Sequence, residues 1–146
     1  AMFIKQLSVF IENREGRLEK VLKTLKDNNI NIISLSLADT SDYGVLRMIT
    51  SNPEDGKKVL KDNGFSAMLT DVLAVKVEHK AGELQEVLDI ICNAGINVEY
   101  MYALATKNDD ATIVIKTSNA EEAALLLQKE GAEFLTSKDI EELNNV

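Results

Sequence analysis

One cysteine, one histidine, one proline and no tryptophan occur in 146 residues. A single cysteine, Cys92, excludes an intrachain disulfide. One cysteine and one histidine cannot make a CxxC or a histidine pair, so no metal site and no metal cofactor is expected. Neither a G-x-x-x-x-G-K-[ST] phosphate loop nor a G-x-G-x-x-G turn occurs, so no nucleotide cofactor is expected. Positive charge is short as well: 16 Lys and Arg stand against 24 Asp and Glu, a net charge of −8. Nucleic-acid binders neutralise phosphates with a basic patch. None is visible, so no nucleic-acid partner is expected. No apolar run approaches the ~20 residues of a membrane helix, and no basic segment leads into an apolar one at the start. Neither a membrane partner nor a secretory signal is expected, and the cytoplasm is the expected location.

Nucleophilic chemistry is absent from the pattern too. Cys92 and His79 are the one thiol–imidazole pair available, and helical spacing puts Cys92 next to Ile91, away from the turn that holds His79. Cys92 is expected as a small core residue of a helix rather than as a reactive thiol. Hydrophobic residues at 45% and charged residues at 27% are ordinary for a globular chain that buries a core.

What is present is a pattern that occurs twice. Leu7, Val9 and Ile11 alternate with Ser8 and Phe10, the period of a strand. Leu18, Val21, Leu22 and Leu25 then follow at i, i+3, i+4 and i+7, one face of a helix, with Asn28-Asn29 as a left-handed stop. Residues 31–38 and 45–50 read as a hairpin around the polar turn 39–44. Asn52-Pro53 opens a second helix, with Asn as its cap and Pro in its first turn, and Gly64 closes it. Residues 65–70 form a short fourth strand. The order is βαββαβ. From Val72 it restarts: Leu73, Val75 and Val77, then Leu84, Val87, Leu88 and Ile91, repeat the first strand and helix at an offset of 66 (16 to 82 for the glycines). Asn119 and Gly131 repeat Asn52 and Gly64. Residues 134–136 are expected as the last strand, and Ser137 as the cap of a tail helix, 138–143.

The expected fold class is therefore α+β: two tandem ferredoxin-like βαββαβ units with antiparallel sheets and helices on one face. Residues 2–70 are one repeat and 71–146 the other, the second carrying the short C-terminal helix. The second strand of each repeat is apolar at both alternations (Ile33, Leu35, Leu37 with Ile32 and Ala38; Tyr100, Tyr102, Leu104 with Met101 and Ala103). Such strands are expected to be covered on both faces, through association of repeats and a homodimer. The same βαββαβ order serves RNA recognition, which needs exposed aromatics on the first and third strands. Phe10 and Tyr43 do not form that set, and the acidic charge opposes it.

The candidate site is the strand-to-helix turn Asn13-Arg14-Glu15-Gly16-Arg17-Leu18 and its second copy, His79-Lys80-Ala81-Gly82-Glu83-Leu84. A helix start offers N–H groups with no internal partner, which favour an anion such as a carboxylate. Glycine permits the tight turn, and Asn13 or His79 can present a polar side chain beside it. The plainer alternatives are a turn amide that only satisfies backbone for Asn13, surface charge for Arg14 and Arg17, and a solvent-exposed ring for His79.

These turns resemble the ACT domain, a small βαββαβ regulatory module. Its signature is an apolar strand, Asp or Asn, two residues, Gly, one residue and Leu, with Gly-x-Asn-Ile opening the second strand. Asn13 to Leu18 with Asn29-Ile30-Asn31-Ile32, and His79 to Leu84 with Gly95-Ile96-Asn97-Val98, are similar to it. Asn29 stands in place of Gly, Glu15 and Ala81 in place of a common Pro, and His79 in place of Asp or Asn. The resemblance implies a small-molecule effector, commonly an amino acid, held at ACT–ACT interfaces by the turn and the start of the second strand. In the regulatory domain of phosphoglycerate dehydrogenase the matching asparagines contact serine, which points to Asn13 and Asn31 here, with Ile32 beside them and Asn97 in the second copy. What it implies overall is a stand-alone allosteric sensor, not an enzyme, acting through its own assembly or on a partner enzyme. The alternative is a dimerisation or docking module that holds no ligand.

Overall fold

The computed structural model describes residues 3–39, 42–77, 81–104 and 111–144. The elements run β1 (Phe3–Glu12), α1 (Arg17–Asp27), β2 (Ile32–Asp39), β3 (Tyr43–Thr50), α2 (Pro53–Asp62), β4 (Ser66–Val77), α3 (Ala81–Asn93), β5 (Val98–Leu104), β6 (Ala111–Thr117), α4 (Ala120–Lys129), β7 (Glu133–Phe134) and α5 (Ser137–Asn144). The chain divides into two compact units: Lys5–Thr70 with the described residues 140–144, and Asp71–Asp139 with residues 3–4.

In the first unit the strand order is β2-β3-β1-β4. β1 and β3 run antiparallel, with Leu7 opposite Met48, Val9 opposite Leu46 and Ile11 opposite Gly44. Those apolar residues share one face, on which α1 places Val21 and Leu25 and α2 places Leu60. Each such fully buried side chain contributes about 1.5–3 kcal/mol of apolar transfer free energy. The second unit repeats the arrangement with β4-β6-β5 and β7 on the outer side of β4. Its core joins Leu73, Val75 and Ile115 to Val87 and Ile91 of α3 and Leu127 of α4. The result is the α+β class with antiparallel sheets and helices on one face that the apolar periodicity predicts.

Local chemistry sets the ends of the helices. Asn52 and Asn119 cap α2 and α4, accepting from the N–H of Asp55 at 3.3 Å and of Glu122 at 3.1 Å. Asn29 after α1, Gly64 after α2, Gly95 after α3 and Gly131 after α4 all hold positive φ, the left-handed stop that glycine, and next asparagine, supplies most readily.

The structure corrects several expectations. The fourth strand of the first repeat and the first strand of the second are one strand, β4. Asp71, exposed within it, is an outward position and not a break. Tyr43 and Gly44 belong to β3 rather than to the hairpin turn; residues 40 and 41 lie outside the described residues. The tail helix α5 is capped by Thr136, not Ser137: the Asp139 N–H donates to Thr136 Oγ1 at 3.3 Å, and the Thr136 N–H donates back to Asp139 Oδ2 at 2.9 Å. That reciprocal pair is a capping box with Asp in the acidic position. Cys92 is exposed, because it lies one helical step, ~100°, past the buried Ile91. Within the single chain β2 and β5 end the strand orders of their units, and Leu35 and Leu37 are 50% and 46% exposed, so the cover expected for β2 has to come from outside the chain.

Candidate functional site

The turn after β1 is built by backbone. The Asn13 N–H donates to the carbonyl of Asp42 at 3.0 Å, pinning the turn to the start of β3. The Arg14 N–H donates to Glu12 O at 2.9 Å, and the ladder of α1 begins where the Lys20 N–H meets Gly16 O at 3.0 Å. Gly16 is the cap residue of α1, at φ 82° and ψ −9°, and no side chain caps the helix. A side chain on residue 16 would meet nothing within 4 Å, so the glycine serves the left-handed backbone, not a close approach. α2 and α4 have asparagine caps on their first-turn N–H groups; α1 leaves its own without a side-chain acceptor.

Beside this turn lies a cleft of about 120 Å³. Asn13, Arg14 and Leu18 contribute from the turn, Ile11 and Glu12 from the end of β1, and Leu37, Asp39 and Gly44 from the β2–β3 hairpin. Ile11 and Gly44 are buried, Leu18 is half-buried, and Leu37 and the polar members are exposed. The cleft therefore has an aliphatic floor and a charged rim. Arg14 Nε lies 3.2 Å from Glu12 Oε2, an ion pair between exposed side chains that adds little to stability. Glu12, Asn13 and Arg14 also border a depression with Asp42 and Tyr43.

Of the residues singled out in the sequence, Asn13, Arg14, Gly16 and Leu18 are grouped at this turn. Glu15 is exposed there without lining the cleft. The Arg17 side chain turns elsewhere: its guanidinium carbon is 4.5 Å from the centre of the Phe65 ring, a cation–π contact, and its buried Nε has no hydrogen-bond partner. Asn31 and Ile32 border a different depression, with Leu22, Lys26, Asn29 and Ile30. They sit where β2 begins, whereas the cleft meets β2 at Leu37 and Asp39. The intervening strand, at about 3.3 Å per residue, keeps Asn13 and Asn31 of one chain too far apart for one amino acid to touch both. The backbone of Asn31 is clamped by Ser51: its N–H donates to Ser51 Oγ at 3.0 Å, and the Ser51 N–H returns to Asn31 O at 2.9 Å.

The second repeat keeps the clamp and places its glycine differently. The Asn97 N–H donates to Ser118 Oγ at 3.0 Å, and the Ser118 N–H to Asn97 O at 2.9 Å. Ala81, Gly82, Glu83 and Leu84 all lie inside α3 rather than in a turn before it, and Gly82 is not among the positive-φ glycines. His79 lies outside the described residues. Among the described residues no group of three His, Cys, Asp or Glu side chains is placed to hold a metal ion, and no helix is long and apolar enough to cross a membrane.

Sequence reasoning missed Ile11, Glu12, Leu37, Asp39 and Gly44 as part of the cleft. The signal for them is the hairpin register, which sets Ile11 against Gly44 and Leu37 against Leu46.

Comparison with known proteins adds three findings. A family model described as an ACT domain pair matches residues 2–144. A Bacteroides thetaiotaomicron protein of known crystal structure is 38% identical, with a TM-score of 0.90 over 98% of this chain and 99% of that one. The regulatory subunit of aspartate kinase from Thermus thermophilus, in its ligand-free form, shares the fold at 15% identity, with a TM-score of 0.61 over 87% of this chain and 92% of that one. No protein with a curated description matches the sequence.

Proposed function

The chain belongs to the ACT domain pair family, and from that premise we propose that it is a regulatory module that binds an amino acid or a similar small metabolite. Residues 2–70 form one ACT repeat and 71–146 the other. The observation that carries this reading is the cleft at Asn13, Arg14 and Leu18, with its aliphatic floor and charged rim, next to a helix start whose N–H groups no side chain caps. The effector's carboxylate lies toward the first-turn N–H groups and Arg14. Its ammonium lies toward Asn13 Oδ1 and Asp39. The protein acts by binding and not by catalysis, and its signal passes to a partner enzyme or through its own assembly.

The binding unit is a homodimer. From Ile32 to Ala38, β2 carries no charged residue and no proline. Leu35 and Leu37 are exposed on it, and soluble proteins usually protect such edges. A second copy pairing antiparallel along β2, about a two-fold axis near Leu35 and Ser36, sets Ile32 of one chain against Asp39 of the other. Asn31 of the partner subunit then reaches the cleft that Asn13 borders, and the two asparagines serve one ligand. Asp39 also comes to lie near Lys26 of the partner subunit, a favourable pairing of charge. The second repeat keeps Asn97 but not the glycine turn, so the first repeat is the principal site.

A thermal-shift screen against the twenty amino acids tests the reading. A ligand at about 100 times its dissociation constant adds about 2.7 kcal/mol, several degrees in midpoint for a chain of this size. Asn13→Ala is expected to abolish that shift while leaving the unliganded midpoint within about a degree. If no amino acid shifts the protein, the docking module without a ligand becomes the better reading.

A further inference from the structure

Resting on the amino-acid reading above, we propose that the effector of the cleft is a neutral branched aliphatic amino acid, with leucine, isoleucine and valine as the class. Three features of the cleft argue for this.

The first is size. At about 120 Å³ the hollow is small. That matches an isopropyl or isobutyl group below a rim that holds the zwitterion. Ligand pockets for larger molecules start near 300 Å³, so the hollow suits a small side chain.

The second is the lining. Ile11, Leu18 and Leu37 are the side chains of the apolar part, and Gly44 adds none. A seryl or threonyl hydroxyl placed against these three side chains finds no acceptor among them, a cost that a methyl group does not carry. Gly44 also keeps the floor open. A Cβ there would meet Leu37 Cδ1 at 3.3 Å, so even alanine needs Leu37 to give by a few tenths of an ångström.

The third is charge. The rim holds two carboxylates, Glu12 and Asp39, and one guanidinium, Arg14. One cation and one anion suffice for the α-carboxylate and the α-ammonium. An aspartate or glutamate side chain adds a negative charge beside two others. A lysine or arginine side chain must bury its charge among leucine and isoleucine to occupy the floor.

The experiment is calorimetric titration of the full chain with L-leucine, L-isoleucine and L-valine against L-serine, L-threonine, L-aspartate, L-lysine and L-phenylalanine, repeated on Leu37→Asn. Leu37 is exposed on the β2 edge, so this substitution leaves the core untouched, and light scattering of the same variant is expected to keep the mass of the parent, which separates the subsite from the dimer seam. The branched aliphatic set is expected to bind at least ten-fold more tightly than the rest, and Leu37→Asn to weaken leucine at least ten-fold. Tighter binding of a polar, charged or aromatic amino acid overturns the aliphatic class and leaves the amino-acid sensor standing. Leucine binding that Leu37→Asn does not alter overturns the cleft as the side-chain subsite. Failure of every amino acid to bind overturns this inference and the sensor reading together.

Discussion

Asn31 and Ser51 hold each other through two bonds, Asn31 N–H to Ser51 Oγ at 3.0 Å and Ser51 N–H to Asn31 O at 2.9 Å. Asn97 and Ser118 reproduce both in the second repeat, at 3.0 and 2.9 Å. The serine hydroxyl thus supplies an acceptor that the strand ladder lacks at the entry to β2 and β5, where the register shifts by one residue. Ser51→Ala and Ser118→Ala are each expected to cost about 0.5–1.5 kcal/mol, the net worth of one hydrogen bond, measured by urea denaturation. A variant as stable as the parent would mean that water replaces the hydroxyl at no loss.

Gly16 and Gly82 occupy the same place in the repeated motif and have opposite backbones. Gly16 is left-handed at φ 82°, and Gly82 is helical. Neither would meet a neighbour within 4 Å if given a Cβ, so backbone alone decides the outcome. Gly16→Ala is expected to destabilise by about 1–2 kcal/mol, the cost of a left-handed residue with a Cβ. Gly82→Ala is expected to stabilise by up to about 1 kcal/mol, the helix preference of alanine. Equal effects at the two positions would show that the two turns share one conformation.

The repeat and the fold were legible because both periods, 2 for strands and 3.6 for helices, are punctuated by Asn-Pro, Asn-Asn and glycine at matching places. What escaped was information held in register and distance. Thr70-Asp71 looks like an interruption in sequence, and only pairing shows β4 to be continuous. Cys92 and Ile91 are adjacent in sequence but about 100° apart around the helix, so counting residues without fixing the buried face misplaced the thiol. Of the site, the turn was legible in its spacing, whereas Leu37, Asp39 and Gly44 come from a hairpin whose register no local pattern gives. The stacking of Arg17 on Phe65 joins residues far apart in sequence, and nothing near Arg17 announces it.

The β2 edge, uncharged from Ile32 to Ala38, gives a prediction about assembly. Leu35→Lys puts a charge in the middle of β2, the device by which soluble proteins keep strand edges apart. Light scattering of the unliganded chain is expected to give a dimer mass, and Leu35→Lys a monomer mass with unchanged circular dichroism. Met101→Lys, on the edge strand of the other unit, is expected to leave the dimer intact. A parent chain that is monomeric at tens of micromolar, or a dimer that responds to Met101→Lys instead, would move the interface off β2.

The cap of α5 makes one local contribution to stability depend on pH. The Asp139 carboxyl is held below the usual carboxylate range, first by the backbone N–H of Thr136, with the Thr136 hydroxyl and the positive charges of Lys76 and Lys138 adding to it against a smaller opposing effect of burial. The Thr136 N–H and Oγ1 reach Asp139 Oδ2 at 2.9 and 3.1 Å. A carboxyl with a lowered folded pKa stabilises the folded state at pH above its unfolded value, about 3.9. That contribution fades as the pH falls through the folded value. The protection factors of the α5 amides, taken against intrinsic exchange at each pH, are therefore expected to fall between about pH 4 and the lower folded pKa, ahead of those of β1 and β3. Asp139→Asn should remove this step and lower the stability of α5 at neutral pH by about 0.5–2 kcal/mol, the usual range for a lost helix cap. An NMR titration that places the Asp139 carboxyl at or above its ordinary value would reverse the sign of the argument, and α5 would then hold as firmly at pH 3 as at pH 7.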